Sequence, residues 1–298
     1  MLPVHDYLLE AIRPRVNDTA WTWLTNARKK AVSGSVDDLL TVYTSSSGRI
    51  GRALLALDDE ERQNADELAP GLQFDRWTLA DAARAVLLLG RFDATGSADS
   101  ARDAAMTCYE QGDAAEQQSW LRSLAILPQA DRFTPLAIDA CRTSIQPLFE
   151  AIACENPFPG RYFPERNFNQ MVLKALFNGV AVARIVALAS RLNDDLSRMA
   201  NDYVSEREAA GRSVPTDIWL VLAPRIGEYG LDRVFSYVEH DDPAHRYWAA
   251  VGLGLRRSAD CRPVLERRRG VETDTRTRQA LDESLARHDG LSLPESRS

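Results

Sequence analysis

Asp242-Pro243-Ala244-His245-Arg246-Tyr247-Trp248-Ala249-Ala250-Val251-Gly252-Leu253-Gly254-Leu255 is the stretch whose pattern decides how this chain folds. Asp242 before Pro243 is a helix start: the carboxylate can cap the first turn, and proline at the first helical position gives up an N–H that has no partner there. Ala244, Tyr247, Trp248, Val251 and Leu255 then recur at three- and four-residue steps, which predicts one apolar helical face. Gly252 and Gly254 weaken an isolated helix but let a neighbouring element approach closely. Such a helix has little stability alone and needs another helix against it.

The same periodicity continues toward the N-terminus. Trp21, Leu24, Ala27 and Ala31 follow an Asn17-Asp18 start; Leu79, Ala82, Ala83, Val86 and Leu87 follow Thr78; Leu196, Met199, Ala200, Tyr203 and Val204 follow Asn193-Asp194. No bounded stretch alternates apolar and polar residues, so no strand is expected. Gly34, Pro70-Gly71, Gly90, Pro128, Gly211 and Gly230 read as helix stops, and Arg91 to Ser97 as a loop between helices. The pattern Asp-Pro-x-x-Arg-x-x-Ala-Ala-x-x-Leu-Gly at 242–254 resembles HEAT-type repeats. The expected fold is therefore all-α, a HEAT-like α-solenoid of stacked antiparallel helix pairs. Residues 1–150 form an N-terminal helical part, 151–289 continue it, and 290–298 read as a flexible tail.

The 298 residues include 45% apolar and 27% charged side chains, an ordinary folded composition with enough chain for a sizeable core. A net charge of −7 argues against whole-surface attraction to nucleic acid or anionic lipid. Cys108, Cys141, Cys154 and Cys261 are far apart and read as small buried hydrophobes in a reducing compartment. The N-terminus has no basic segment followed by an apolar one, and the most apolar window, Val180 to Ala189, is broken by Arg184. That window is short of the ~20 residues a membrane span requires. The chain is expected in the cytoplasm.

Motifs for catalysis, nucleotide cradling or zinc-protease chemistry are missing. Gly48-Arg49-Ile50-Gly51-Arg52 lacks the lysine and strand of a phosphate loop. His240 and His245 flank Asp241-Asp242, but helix capping by Asp242 is the simpler reading than a metal site. No catalytic residue, metal ligand or cofactor is assigned.

The informative segment is Glu155-Asn156-Pro157-Phe158-Pro159-Gly160-Arg161-Tyr162-Phe163-Pro164-Glu165. Its prolines and glycine predict an irregular path, and its aromatics predict that the path is packed down on helices, as a structural clamp or as part of a site. Phe168, Met171, Val172, Ala175 and Leu176 then form a core stripe, with Asn167, Gln170 and Lys174 aligned on the flank. Lys174 is one of three lysines beside 33 arginines. These amides and this ammonium could meet a polar ligand or partner, or tie down the preceding loop.

The run Asn156-Pro157-Phe158-Pro159, Tyr162-Phe163-Pro164-Glu165 and Phe168-Asn169-Gln170-Met171-Val172-Leu173-Lys174-Ala175-Leu176-Phe177 resembles the signature of the EboA-like family. Asp202-Tyr203, Glu206-Arg207, Ala210-Gly211-Arg212, Pro215 and Trp219 are similar to it as well. The resemblance implies a metabolite-traffic component of a bacterial gene cluster that also encodes a prenyltransferase-like membrane protein and several enzymes. It further implies a part in moving a natural-product precursor from cytoplasm to periplasm, with no reaction attached to the protein.

On this reading the chain is a non-catalytic binding or scaffold protein for a small metabolite or for proteins of the same gene cluster. Its candidate binding residues are Asn156, Arg161, Tyr162, Phe163, Asn167, Gln170 and Lys174, with Arg246 and Trp248 as a second group. The alternative is an enzyme of the same pathway using Glu155, Glu165 or His240 as acid or base. Arg256 to Arg278 holds eight arginines and four acids. It reads either as a solvated face or as a contact with an anionic partner, such as the inner-membrane surface. Nucleic acid is not expected there, because no stacking aromatics lie between the arginines.

Overall fold

The computed structural model describes residues 3–93 and 97–290; residues 94–96 of the expected loop and the tail beyond 290 lie outside the described residues. Among the described residues the protein is all-α, with eighteen α-helices, five short 3₁₀ turns, no strand and one isolated bridge between Leu54 and Thr78. The chain divides into two compact units that part after Phe163.

The first unit contains α1 (Val4–Ile12), α2 (Asp18–Ser33), α3 (Val36–Ile50), α4 (Asp59–Leu68) and α5 (Leu79–Phe92). It continues with α6 (Ala98–Glu110), α7 (Ala114–Ser123), α8 (Thr134–Ala140), α9 (Gln146–Ala153) and α10 (Phe158–Tyr162). Helix α5 packs against α1, α2, α3, α6 and α7. Every residue from Leu79 to Gly90 is buried, Asp81 and Arg84 included. A helix covered on all sides has to satisfy its polar side chains internally. Asp81 accepts from the backbone N–H of Thr78 at 2.7 Å, from the Ser119 hydroxyl and from Arg122, both at 2.5 Å. Arg84 donates to the Tyr43 carbonyl at 3.1 Å and to the hydroxyls of Ser119 and Ser47 at 3.0 Å. Gly90 does not stop this helix: it lies within it, where α2 packs over it, with Val32 Cγ2 3.4 Å from the site of a Cβ.

The second unit contains α11 (Glu165–Phe177), α12 (Leu188–Arg191), α13 (Asp194–Ala209) and α14 (Trp219–Leu222). It ends with α15 (Glu228–Val238), α16 (Pro243–Arg256), α17 (Cys261–Val271) and α18 (Thr275–His288). Helix α16 packs on α14, α15, α17 and α18. Asp242 caps it, accepting from Ala244 N at 2.8 Å, just as Asn17, Thr78 and Asn193 cap α2, α5 and α13.

The buried face of α16 is not the one its apolar spacing picks out. His245, Arg246, Ala249, Ala250, Gly252, Leu253 and Gly254 are buried, whereas Tyr247, Trp248, Val251 and Leu255 are half-buried and Ala244 is exposed. Small residues win this face because α14 and α18 come too close for larger ones. A Cβ on Gly252 would collide with the Trp219 carbonyl oxygen, and one on Gly254 would lie 2.6 Å from Ser284 Cβ. Arg246 can be buried because Glu272, also buried, accepts from its Nε at 2.8 Å and Nη2 at 2.9 Å. Gly230, read as a stop, lies in the first turn of α15.

All four cysteines are buried, and burial pushes the Cys108 thiol up to about 12. Among the described residues no helix is long and apolar enough to cross a membrane.

Candidate functional site

The Pro-aromatic segment belongs to the first unit up to Phe163 and is packed down, as its aromatics predict. It is not irregular throughout: Phe158 to Tyr162 make one helical turn, α10, with proline in its first positions, where the missing N–H costs nothing. Asn156 is buried; its amide donates to the carbonyls of Leu121 at 3.0 Å and Ala151 at 3.1 Å, and accepts from Phe158 N at 3.0 Å. Phe158, fully buried, gathers Tyr162 and Phe163 at ring distances of 4.9 and 6.2 Å. Arg161 is exposed and donates to the Pro70 carbonyl at 2.6 Å. These bonds anchor the segment to its own unit.

On α11, Phe168, Met171, Val172, Ala175 and Leu176 are buried as a core stripe. Asn167 and Lys174 are half-buried and Gln170 is exposed. The flank these residues mark continues at helical spacing to Phe177, which is 57% exposed although large and apolar. Phe177 lies on the rim of a cleft of about 430 Å³ within the second unit.

Two helix ends build that cleft. Helix α11 closes with Gly179 at φ +68°, where Val180 N donates to the Ala175 carbonyl and Gly179 N to the Leu176 carbonyl. Helix α13 closes the same way: Gly211 has φ +63°, Arg212 N donates to the Arg207 carbonyl and Gly211 N to the Glu208 carbonyl. Both are Schellman caps, which require a left-handed residue and reverse the chain at once. The returning segments, 180–181 and 213–217, become cleft walls, tied together just beyond them where Asp217 accepts from Val182 N at 2.6 Å. Asp217 is buried, and that burial raises its pKa.

The two helices are fixed to each other. Asn169 and Asn193 exchange amide hydrogen bonds of 3.1 and 3.0 Å, and further along Phe177 and Tyr203 meet edge-on at 4.5 Å. Arg207, one turn beyond Tyr203, lies 5.8 Å from its ring and donates from Nε to the Ser213 carbonyl at 2.8 Å. Trp248 completes the lining from α16. The result is a half-open cleft with three aromatic side chains and one cation, suited to holding a molecule with an apolar body.

Of the candidate residues, only Trp248 lines this cleft; Lys174 sits one turn from its rim on α11. Arg246 is committed to Glu272 and to the carbonyls of His240 and Asp241. Phe177, Tyr203, Arg207 and Asp217 were not chosen from the sequence as binding residues, although the first three belong to the stretch that carries the resemblance. The i, i+3 step from Lys174 to Phe177 and the i, i+4 step from Tyr203 to Arg207 were the available signals.

Glu165 is exposed in the first turn of α11, Glu155 lies 3.7 Å from Arg76, and His240 Nδ1 accepts from Asp242 N at 3.0 Å. No group of three or more His, Cys, Asp or Glu able to hold a metal occurs among the described residues. In the Arg256–Arg278 segment, Arg256 binds backbone carbonyls, while Arg262, Arg267, Arg268 and Arg269 pair with acids of the same unit. Arg276 stacks on Tyr247, 4.1 Å from its ring.

Among the described residues, fold and cleft together define an all-helical protein with a small-molecule-sized recess. The family model for the metabolite traffic protein EboA matches residues 4–223, from α1 through α14, and the chain belongs to that family. Neither the curated proteins nor the solved structures contain a match to it.

Proposed function

We propose that this protein is a non-catalytic metabolite-traffic component that holds a small-molecule precursor in the cleft between α11, α13 and the 213–217 return. It would work in the cytoplasm before that molecule is exported to the periplasm. The observation that supports this most is the set of half-exposed aromatic walls: Phe177 remains 57% exposed in a chain that buries most of its large apolar side chains. Phe177, Tyr203 and Arg207, which lie in the stretch that carries the resemblance and within the matched residues 4–223, belong to the same walls, and this supports reading the cleft as the place where such a role is carried out.

The helix order in the second unit supports the stacked-pair reading of the architecture. Helix α13 packs on α14, α14 on α16, α15 on α16, and α16 and α17 on α18. In a HEAT-like arrangement each pair buries its apolar face against the next, leaving concave recesses for ligands or partner proteins. Docking of a protein from the same gene cluster would use the same rim, with Gln170 and Lys174 as polar contacts beside Phe177.

The test is a thermal-shift titration of the full chain with intermediates of the neighbouring enzymes, repeated on Tyr203→Ala. Binding to the folded state raises the melting temperature with ligand concentration. The proposal predicts a rise with at least one intermediate that the variant loses. A rise that Tyr203→Ala keeps would place the ligand elsewhere.

A further inference from the structure

The aromatic walls alone would accept any flat apolar body; the polar atoms of the cleft add a charge preference. Arg207 is half-buried, and its orientation is set twice, by the Nε bond to Ser213 O at 2.8 Å and by the Tyr203 ring at 5.8 Å. Its two Nη groups have no acceptor among the described residues. The acids that could neutralise it are engaged elsewhere. Glu206 lies 4.0 Å from Arg212, and Glu208 accepts from the Tyr237 hydroxyl at 2.9 Å and pairs with Arg233 at 3.4 Å. Asp217, the acid of the cleft wall, accepts from Val182 N. Two other arginines of this unit illustrate the contrast: Arg246 and Arg268 both pair with Glu272.

We infer that the cleft selects an anion: a planar apolar molecule carrying a carboxylate, sulfonate or phosphate group that the Nη edge of Arg207 receives. A guanidinium offers parallel N–H donors that fit the oxygens of such groups, and the charge-assisted pair is stronger than a hydrogen bond between neutral groups. This inference rests on the cleft being the ligand site and names the class of ligand it takes.

Two fluorescent probes with nearly the same aromatic body test it. One is 1-anilinonaphthalene-8-sulfonate, an anion, and the other N-phenyl-1-naphthylamine, which is neutral. Both are titrated into the full chain and into Arg207→Gln, Arg207→Lys, Phe177→Ser and Val271→Ser, the last altering an exposed apolar residue on α17, outside the cleft lining. The expected result is that the anion binds roughly tenfold tighter than the neutral probe. That ratio should fall toward one in Arg207→Gln, recover in part in Arg207→Lys, and stay unchanged in Val271→Ser, while Phe177→Ser weakens both probes. Equal binding of the two probes, or a ratio that Arg207→Gln leaves intact, overturns the charge preference and leaves the cleft standing. Binding that Phe177→Ser does not alter overturns both the cleft and this inference. A circular-dichroism melt on each variant shows whether a lost ratio comes from a lost fold, and Arg207→Lys then decides.

Discussion

The indole N–H of Trp219 donates to Nδ1 of His245 across 3.0 Å, with both side chains buried. Nδ1 must therefore present a lone pair, which makes His245 a neutral imidazole with its proton on Nε2. Burial, reinforced by His240, lowers its pKa from 6.5 to about 4.

A histidine held neutral on folding gives stability that is fully present above its unfolded pKa. The unfolded chain takes up the proton first, so this contribution fades as pH falls from about 6.5 to about 4. The melting temperature should drop across that window. In His245→Gln the amide oxygen can accept the same indole N–H without titrating, so its melting temperature should depend less on pH. Identical pH profiles for the two proteins would contradict this assignment.

Glu272 is the charge that makes a buried Arg246 tolerable. Its carboxylate is held well below the usual range, first by Arg246 and also by Arg268 and the N–H of Asp274. Replacing it by Gln keeps the shape and strands a buried guanidinium, a change that costs about 3–5 kcal/mol. Urea denaturation should report a loss of that size. A loss under about 1 kcal/mol, the size typical of an exposed pair, would mean that the pair is exchanging with water.

Arg84 has the corresponding role inside the first unit. Arg84→Met would leave the Tyr43 carbonyl and the Glu116 carboxylate, 3.7 Å away, without its charge in a buried site. Amide hydrogen exchange should accelerate in α5 and α7 first, because stability is lost locally before it is lost globally. Unchanged protection in both helices would contradict the part given to Arg84.

Gly211 adopts φ +63° to close α13. An alanine there would pay roughly 1 kcal/mol for the left-handed conformation. The visible consequence should be faster exchange of the Arg212 N–H, whose acceptor is the Arg207 carbonyl, and a looser 213–217 wall. Wild-type exchange at Arg212 in the Gly211→Ala variant would argue against this cap.

How much of this could be read beforehand depends on how far each signal reaches along the chain. The caps at Asn17, Thr78, Asn193 and Asp242 are legible because a cap joins residues two or three positions apart. The core stripe of α11 is legible for the same reason. The buried face of α16 is not, since His245 and Arg246 look polar until Trp219 and Glu272 are placed beside them. The cleft was half visible. Tyr203 and Arg207 share a helix face at i, i+4, but only the folded returns after Gly179 and Gly211 bring Val180, Val214 and Asp217 to them. A sequence shows that a glycine is present and does not show where the chain goes after it.

The central claim is that ligand occupies the cleft between α11, α13 and the 213–217 return. The most direct measurement is a methyl-selective NMR titration of the full chain with 1-anilinonaphthalene-8-sulfonate. The methyl groups of Leu176, Val180 and Val214 line the cleft and should shift together, with one saturation curve. Shifts confined to methyls elsewhere, with these three unmoved at saturation, would contradict it.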